Sequence, residues 1–270
     1  MADETADGED VAGSKAPLIE HLTELRSRLF KTIFVFFVVF IISFIFSKQI
    51  FNFLVEPLAA VEAKNGRDLT MIYTALHEVF FTRLKVSFFA ALFITSPFFL
   101  SQIYKFAAPG LYKNERKAFL PFLAATPILF IAGAALVYYF IFPRAWGFLA
   151  SYQDFTDGAT TLQLLPKVNE YLSLSMKLIF AFGLSFQLPV ALTLLARAGI
   201  VSSQMLAKNR KYAIVIAFVA AAVLTPPDPF SQIGLGLPIL LLYEVSIILA
   251  RIIERKRAEK EREREAELDS

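Results

Sequence analysis

The chain has 270 residues, of which 56% are hydrophobic and 19% are charged. A soluble domain of this length is nearer to about 45–50% apolar and about 25% charged, and here the excess lies in long apolar runs, which indicates lipid surroundings. The absence of cysteine excludes disulfides and thiol chemistry, the two histidines disfavour a metal site, and a net charge of +3 gives no reason to expect nucleic acid as a partner.

The two ends of the chain are polar. Residues 1 to about 16 are acidic, the reverse of the basic start of a secretory signal, so we expect a disordered tail and no cleaved signal peptide. Residues 251–270 alternate Lys, Arg and Glu, which predicts a charged, solvated helical tail. Residues 17–250 then form one transmembrane domain.

Six apolar runs predict six transmembrane helices. They span about Leu29 to Phe46, Val79 to Tyr104, Ala118 to Phe142, Tyr171 to Ala196, Tyr212 to Leu224 and Ile233 to Ala250. Crossing a hydrocarbon core of about 30 Å takes about 20 residues, so the last two runs are short and imply local thinning of the bilayer or burial among neighbours. We predict an all-α polytopic membrane protein.

Prolines within these runs predict bent helices and a curved bundle, because each removes a helix hydrogen bond. They are Pro97, Pro121, Pro127, Pro189 and Pro238. In lipid, each freed carbonyl must find a donor elsewhere in the protein.

The basic residues flank alternate connections, which by the positive-inside rule predicts that both termini are cytoplasmic. Pro57 and Asp228 then lie in extracytoplasmic loops. A hairpin formed by the last two runs that only dips into the membrane would leave both termini on the same side, so it stays open as an alternative.

An amphipathic segment precedes the first span. At helical spacing, Leu22 and Leu25 fall on an apolar stripe, whereas Glu20, Glu24 and Arg28 fall on another face. Carboxylates are unexpected beside an anionic membrane surface. They either pair with arginines of their own helix or form a docking site for a cationic partner.

Further polar residues lie in the second connection and within the spans. In the connection, Glu115 follows a Pro-Gly turn at the start of the third span, where the helix dipole favours an anion. Lys177, Gln187 and Glu244 lie within apolar runs, where polar side chains usually face the bundle interior. Gln187, two residues before Pro189, is placed to donate to carbonyls freed at that proline. We find no nucleotide-binding or zinc-protease motif, so we expect no enzymatic activity and no cofactor.

Four segments in this order resemble the TatC family, the multispanning core of the twin-arginine protein translocase. They are HLTELRSRL (21–29), FAAPGLYKNERK (106–117), AFGLSFQLPVAL (181–192) and LTPPDPFSQ (224–232). The resemblance covers about Pro17 to Arg251. It implies a bacterial inner-membrane protein that binds the twin-arginine signal peptides of folded precursors and recruits the single-span partners TatB and TatA. Transport is then driven by the proton-motive force, in contact with membrane lipid and with other copies of the chain.

The resemblance also implies roles for particular residues. Glu24 and Glu115 match the glutamates that recognise arginine, with Phe106, Leu22 and Leu25 offering apolar contact to the signal. Arg26 and Glu20 belong to the same candidate surface.

Gln187 and Pro189 match a region where partner helices dock. The family often has Glu at the position of Gln187, and Gln cannot ionise, which puts a proton-carrying role in doubt here.

Two other functions fit a six-span chain. A small-solute or ion transporter needs several polar groups converging near the membrane midplane, and Gln187 and Glu244 are few for that. A scaffold that binds single-span helices without binding precursor is the second.

Overall fold

A computed structural model describes residues 6–107, 120–154, 163–225 and 228–268. Within these ranges the chain folds into α-helices, which confirms the all-α prediction. The helices are α1 (Ala6–Ile45), α2 (Ser47–Lys64), α3 (Glu78–Ala107), α4 (Leu120–Leu136), α5 (Phe142–Ala150), α6 (Val168–Ser185), α7 (Leu188–Arg197), α8 (Ser203–Lys208), α9 (Arg210–Leu224) and α10 (Pro229–Leu268). A π-helical segment, Val137–Ile141, joins α4 to α5, and a 3₁₀ turn, Ser151–Asp154, follows α5.

Five stretches of the described residues are long and apolar enough to cross a membrane. They are Thr23–Ile45, Glu78–Ile103, Ala124–Gln153, Val168–Arg197 and Ser231–Glu259. They match the first four predicted spans and the last. The predicted fifth span is α9, whose 15 residues give about 22 Å of helix at about 1.5 Å per residue. The count of six crossings and the side on which the termini lie stay predictions.

Three boundaries differ from the sequence prediction. Helix α1 begins at Ala6, inside the tail that we expected to be disordered. Pro57 lies in helix α2 and not in an irregular loop. The last apolar run is the first part of α10, a helix of 40 residues that continues through the charged tail to Leu268.

The helices pack as a bundle around two apolar clusters. Helix α1 lies along α3, α4 along α6, and both α7 and α9 along α10, while α2 contacts α3 and α5. The larger cluster joins α2, α3, α5, α6 and the π-helical segment, and the smaller one joins α7, α8 and α10. Large apolar side chains such as Phe34, Ile128 and Val223 are exposed, as expected for a surface that faces lipid.

Helices α4 and α6 approach closely at two glycines. A Cβ atom on Gly133 would lie 2.6 Å from the carbonyl oxygen of Phe182, and one on Gly183 would lie 2.8 Å from the ring of Phe130. Each glycine therefore makes room for the facing helix, as small residues do in membrane bundles.

Two carbonyls freed by prolines find donors within the protein, as the sequence analysis requires. Pro97 removes the donor to the Phe93 carbonyl, and the Ser96 hydroxyl donates to that oxygen at 2.8 Å. Pro57 does the same to the Phe53 carbonyl, which accepts from the Tyr138 hydroxyl at 2.7 Å.

A second tyrosine donates to α2 close to the same proline, Pro57. The Tyr171 hydroxyl of α6 donates to the Leu54 carbonyl at 2.9 Å. The ring of Tyr138 also stacks on that of Phe53, with centroids 4.4 Å apart. The π-helical segment, which contains Tyr138, and α6 therefore hold α2 at its proline.

A buried carboxylate joins the end of α2 to the end of α5. Glu62 is 4% exposed, and its oxygens accept from Arg67 Nε at 3.1 Å and Gln153 Nε2 at 3.0 Å. Beyond it, Ile72 and Lys167 form a parallel β-bridge that joins the α2–α3 connection to the start of α6. We call this end of the bundle, formed by α2 and the adjoining ends of α3, α5 and α6, the α2 end.

Candidate functional site

The carboxylate of Glu24 is held by an arginine of its own helix. Arg28 donates to Glu24 Oε1 from Nη2 at 2.5 Å and from Nε at 3.0 Å. The Glu24 side chain remains 41% exposed, whereas that of Arg28 is 24% exposed. The sequence left two alternatives open for this carboxylate, an ion pair within its own helix or a docking site for a cationic partner. The structure shows the ion pair with Arg28, and the Glu24 carboxylate still reaches solvent.

Arg28 also joins α1 to α3. Its third nitrogen, Nη1, donates to Gln102 Oε1 at 2.9 Å. Gln102 lies one turn before the end of α3 at Ala107, so the contact brings Glu24 to the end of α3 that leads to the segment containing Glu115. Sequence reasoning missed Gln102, because nothing in its neighbourhood distinguishes it from other polar residues near a helix end.

The other predicted residues of this surface divide into two groups. Leu25 is exposed, and the guanidinium of Arg26 lies over the ring of Phe30, with its central carbon 5.6 Å from the centroid. Glu20 and Leu22 lie on α1 and Phe106 on α3, but their side chains are outside the described part of the structure, as is the whole of Glu115. That Glu24 and Glu115 together recognise arginine stays a prediction.

An apolar groove begins at Leu29, the residue after Arg28 on α1. Its first part has a volume of about 400 Å³ and is lined by side chains of α1, α3, α4 and α6, among them Leu29, Thr32 and Phe99. A second part of about 760 Å³ continues along α3 and α6, and the two parts share Leu92 and Phe180. Glu24 therefore lies near the mouth of a continuous apolar surface.

The predicted partner-docking residues are inside the chain. Gln187 is 4% exposed and lies in the break between α6 and α7, where its Nε2 donates to the Thr126 carbonyl of α4 at 3.0 Å. Pro189, in the first turn of α7, is also buried. The sequence placed Gln187 to donate to a carbonyl freed by Pro189. The structure shows it donating instead to the Thr126 carbonyl, which belongs to another helix.

The two charged residues predicted within the spans have different surroundings. Glu244 accepts a bidentate pair from Arg210 of α9, at 2.7 and 2.8 Å, so its charge is compensated across the α9–α10 contact. Lys177 of α6 is exposed and lines the larger part of the groove.

Asp228 caps the start of α10. It is 5% exposed, and its Oδ1 accepts from the backbone N–H of Ser231 at 2.7 Å. Its position at a helix start explains the carboxylate there, because a capping oxygen satisfies an N–H group that the helix leaves without a partner.

A further contact, which sequence reasoning missed, fixes α8 on α10. Glu254 accepts from the Ser203 backbone N–H at 2.7 Å and from the Ser203 hydroxyl, and the Tyr243 hydroxyl donates to the Leu206 carbonyl at 2.8 Å. The alternating charges of the tail concealed Glu254 as one acid among many. We call this opposite end of the bundle, which includes Glu24, the end of α3, and α8, the α8 end.

The fold and this site define a multi-pass all-α membrane protein with an accessible, ion-paired carboxylate near an apolar groove. The model of the family described as Sec-independent protein translocase protein (TatC) matches residues 20–238. The chain therefore belongs to the TatC family.

Relatives and solved structures agree with this assignment. A Sec-independent protein translocase protein TatC from Magnetococcus marinus is 54% identical over 94% of this chain and 90% of its own length, and that of Escherichia coli K12 is 39% identical over 87% and 88%. A crystal structure of the twin-arginine translocase receptor TatC aligns with a TM-score of 0.73 at 36% identity, covering 87% of this chain and 99% of that one. A second, in DDM, gives 0.74 at 38% identity, covering 85% and 99%.

Proposed function

We propose that this chain is the receptor subunit of a twin-arginine translocase and binds the signal peptides of folded precursors at its cytoplasmic face. The observation that carries the proposal is the position of Glu24, an exposed carboxylate one turn before an apolar groove that begins at Leu29. A signal peptide with paired arginines next to an apolar stretch is complementary to this arrangement, in which a carboxylate is followed by an apolar groove.

The chemistry of Glu24 favours arginine over lysine. The guanidinium is a planar fork that donates two parallel hydrogen bonds, whereas an ammonium is a compact, strongly hydrated charge. Arg28 shows that a guanidinium can donate to this carboxylate from two nitrogens at once, here to a single oxygen. A hydrogen bond to a charged group contributes about 1.5–3 kcal/mol, so the second bond that an arginine makes is enough to distinguish the two signals.

The rest of the signal site completes this proposal. Glu115 supplies the second carboxylate, one for each arginine. Phe106, Leu22 and Leu25 contact the apolar part of the signal, and Arg26 and Glu20 lie at its edge. Leu25 is 40% exposed on the same helix as Glu24, which supports its part in this surface.

We place both termini in the cytoplasm and count α9 as the sixth crossing. Helix α9 runs antiparallel to α10, because Arg210 meets Glu244 near one end and Phe218 lies against Gly236 further along. Its outward residues are apolar, with Val219 57% and Val223 79% exposed. Cysteines introduced at Gly66 and Gly199, which lie in opposite connections, should then react with an impermeant reagent from opposite sides of the bacterial inner membrane.

The complex has further proposed members. TatB and TatA dock as single-span helices near Gln187 and Pro189, other copies of the chain and lipid cover further apolar surface, and transport uses the proton-motive force. Because Gln187 is 4% exposed, a partner that contacts it must open the α6–α7 break. The observed amide–carbonyl contact gives Gln187 a structural role in the absence of partners.

The transporter alternative has less support. Such a protein needs polar groups that converge on one solute. In the described helices, Glu244 is satisfied by Arg210 and Gln187 donates to Thr126, so these two groups serve separate contacts.

Photo-crosslinking tests the proposal. A photoreactive phenylalanine analogue at Phe99, 42% exposed in the groove, should crosslink to the apolar part of a twin-arginine precursor in membranes that contain all Tat subunits. The same analogue at Phe140, 55% exposed outside the groove, is the control.

Glu24→Gln should reduce the Phe99 crosslink at limiting precursor concentration while the membrane level of the protein stays normal. A Phe99 crosslink of unchanged yield in Glu24→Gln would contradict the role of Glu24. A crosslink only at Phe140 would contradict the proposal that the apolar part of the signal binds in the groove.

A further inference from the structure

We infer that Arg28 is an intramolecular competitor of the signal peptide, and that its release from Glu24 sets the affinity threshold that a signal must reach. The inference rests on the proposed function of Glu24 and adds a residue and a mechanism to it. The competitor is chemically the same group as the ligand, a guanidinium.

The contact occupies one of the two oxygens of the carboxylate. Arg28 presents Nε and Nη2 to Glu24 Oε1 at 3.0 and 2.5 Å. Charge-assisted bonds of this kind are about twice as strong as neutral ones, and an arginine binds a carboxylate best through two parallel bonds, one to each oxygen. A signal arginine that binds Glu24 in this bidentate way therefore competes with Arg28 for Oε1.

Arg28 is held in place by a second helix. Its Nη1 donates to Gln102 Oε1 of α3 at 2.9 Å, and the Arg28 side chain is more buried than that of Glu24. The bound position is therefore favoured by three hydrogen bonds. Because both side chains still reach solvent, rotation of the Arg28 side chain is sufficient to break its bonds to Glu24 Oε1, with no movement of the backbone.

Competition has a specific thermodynamic signature. The observed dissociation constant equals the intrinsic one divided by the fraction of receptor whose Glu24 is free. That fraction is a property of the receptor, so Arg28 weakens a twin-arginine signal and a twin-lysine signal by the same factor. The ratio between the two signals is set by Glu24 itself.

The size of the effect follows from the exposure of the pair. An exposed pair spaced four residues apart on a helix changes an equilibrium constant by about twofold. Partial burial and the third bond to Gln102 raise this, so we expect a change of about two- to tenfold.

Titration of a fluorescent precursor onto membrane vesicles tests this, with the full chain and its partner subunits present. Arg28→Gln should bind the twin-arginine precursor and its twin-lysine variant about two- to tenfold more tightly, with an unchanged ratio. Gln102→Leu should act in the same direction with a smaller factor. Lys31→Gln, which removes one exposed positive charge from the same helix, should bind as the unaltered chain does.

Weaker or unchanged binding by Arg28→Gln would overturn the inference, since weaker binding would mean that Arg28 holds Glu24 in its working position. If Arg28→Gln does not accumulate in the membrane, Arg28→Lys and Gln102→Leu decide by the same criterion. Loss of binding in Glu24→Gln without tighter binding in Arg28→Gln would refute this inference alone. Unchanged binding in Glu24→Gln would refute the proposed function.

Discussion

The two ends of the bundle use polar side chains in opposite ways. At the α2 end, Glu62 is 4% exposed and its contacts join separate elements of the chain. At the α8 end, Glu24 is 41% exposed and its partner Arg28 lies one turn away on the same helix. The first arrangement fixes the backbone, whereas the second leaves a charged group that can exchange its partner.

The difference teaches how a receptor surface is built on a membrane scaffold. Buried polar groups must be satisfied internally, because lipid offers no hydrogen bonds, and at the α2 end Tyr138, Tyr171 and Gln153 do this. A site that recognises a cationic ligand needs a different arrangement. Its carboxylate must have a partner, such as Arg28, that a chemically similar group of the ligand can replace. The contrast makes unequal predictions for stability and for binding.

The largest effect on stability is expected from Glu62→Leu. Removing one partner of a buried ion pair costs about 3–5 kcal/mol, because the other group loses its compensation, and we expect the lower end since Arg67 is 30% exposed. Unfolding of the purified protein in mixed detergent micelles measures it. Lys64→Gln, an exposed change on the same helix, should leave the unfolding free energy unchanged. Equal effects of the two substitutions would remove the distinction between the ends.

Gly133→Ala tests the close packing of α4 against α6, which lies between the two ends of the bundle. The new methyl group would lie 2.6 Å from the backbone oxygen of Phe182, so α4 and α6 must separate, at about 2–3 kcal/mol for overpacking.

Gly147→Ala in α5 is its matched control, because the added Cβ meets nothing within 4 Å and alanine favours a helix by about 1 kcal/mol. It should be neutral or stabilising in the same unfolding measurement. A tolerated Gly133→Ala would show that the α4–α6 contact is loose.

Tyr138→Phe should destabilise the α2 end by about 1–2 kcal/mol, because the Phe53 carbonyl freed by Pro57 loses its donor while the stacked ring remains. Tyr139→Phe changes the adjacent tyrosine, which is 64% exposed, and serves as the control. Hydrogen exchange of the α2 backbone should accelerate in Tyr138→Phe alone. Equal exchange in both variants would count against the proposed support of the bend.

The sequence was most informative where the membrane imposes the pattern. Apolar runs located the five spans found among the described residues, the second and fourth of them within about three residues at each end. The prolines correctly implied carbonyls in need of donors. It did not predict that α2 is a helix, because Pro57 and scattered charges look like a loop. Within that helix, the Phe53 and Leu54 carbonyls accept from Tyr138 and Tyr171, which are more than 80 residues away. Such long-range contacts leave no local signal.

The candidate site shows the same limit. The spacing of Glu24 and Arg28 predicted their common face, and the structure confirms their contact. Gln102 lies 74 positions away and joins them only through the packing of α1 on α3. For Glu254, the local pattern of alternating charges indicated a solvated tail and concealed its contact with Ser203.

The smallest effect on stability is expected at the receptor surface. Glu24→Gln should change the unfolding free energy by less than about 0.5 kcal/mol, because exposed ion pairs contribute little. The same unfolding measurement applies. A loss comparable to that of Glu62→Leu would mean that Glu24 is part of the scaffold, and any binding defect of the variant would then have a structural cause.

The most direct test of Glu24 as an arginine receptor is the ratio of dissociation constants for twin-arginine and twin-lysine precursors, measured on membranes with equal amounts of the unaltered chain and of Glu24→Gln. If the carboxylate recognises the guanidinium fork, Glu24→Gln should reduce the preference for arginine by about tenfold, equivalent to about 1.4 kcal/mol. An undiminished preference in Glu24→Gln would contradict this account.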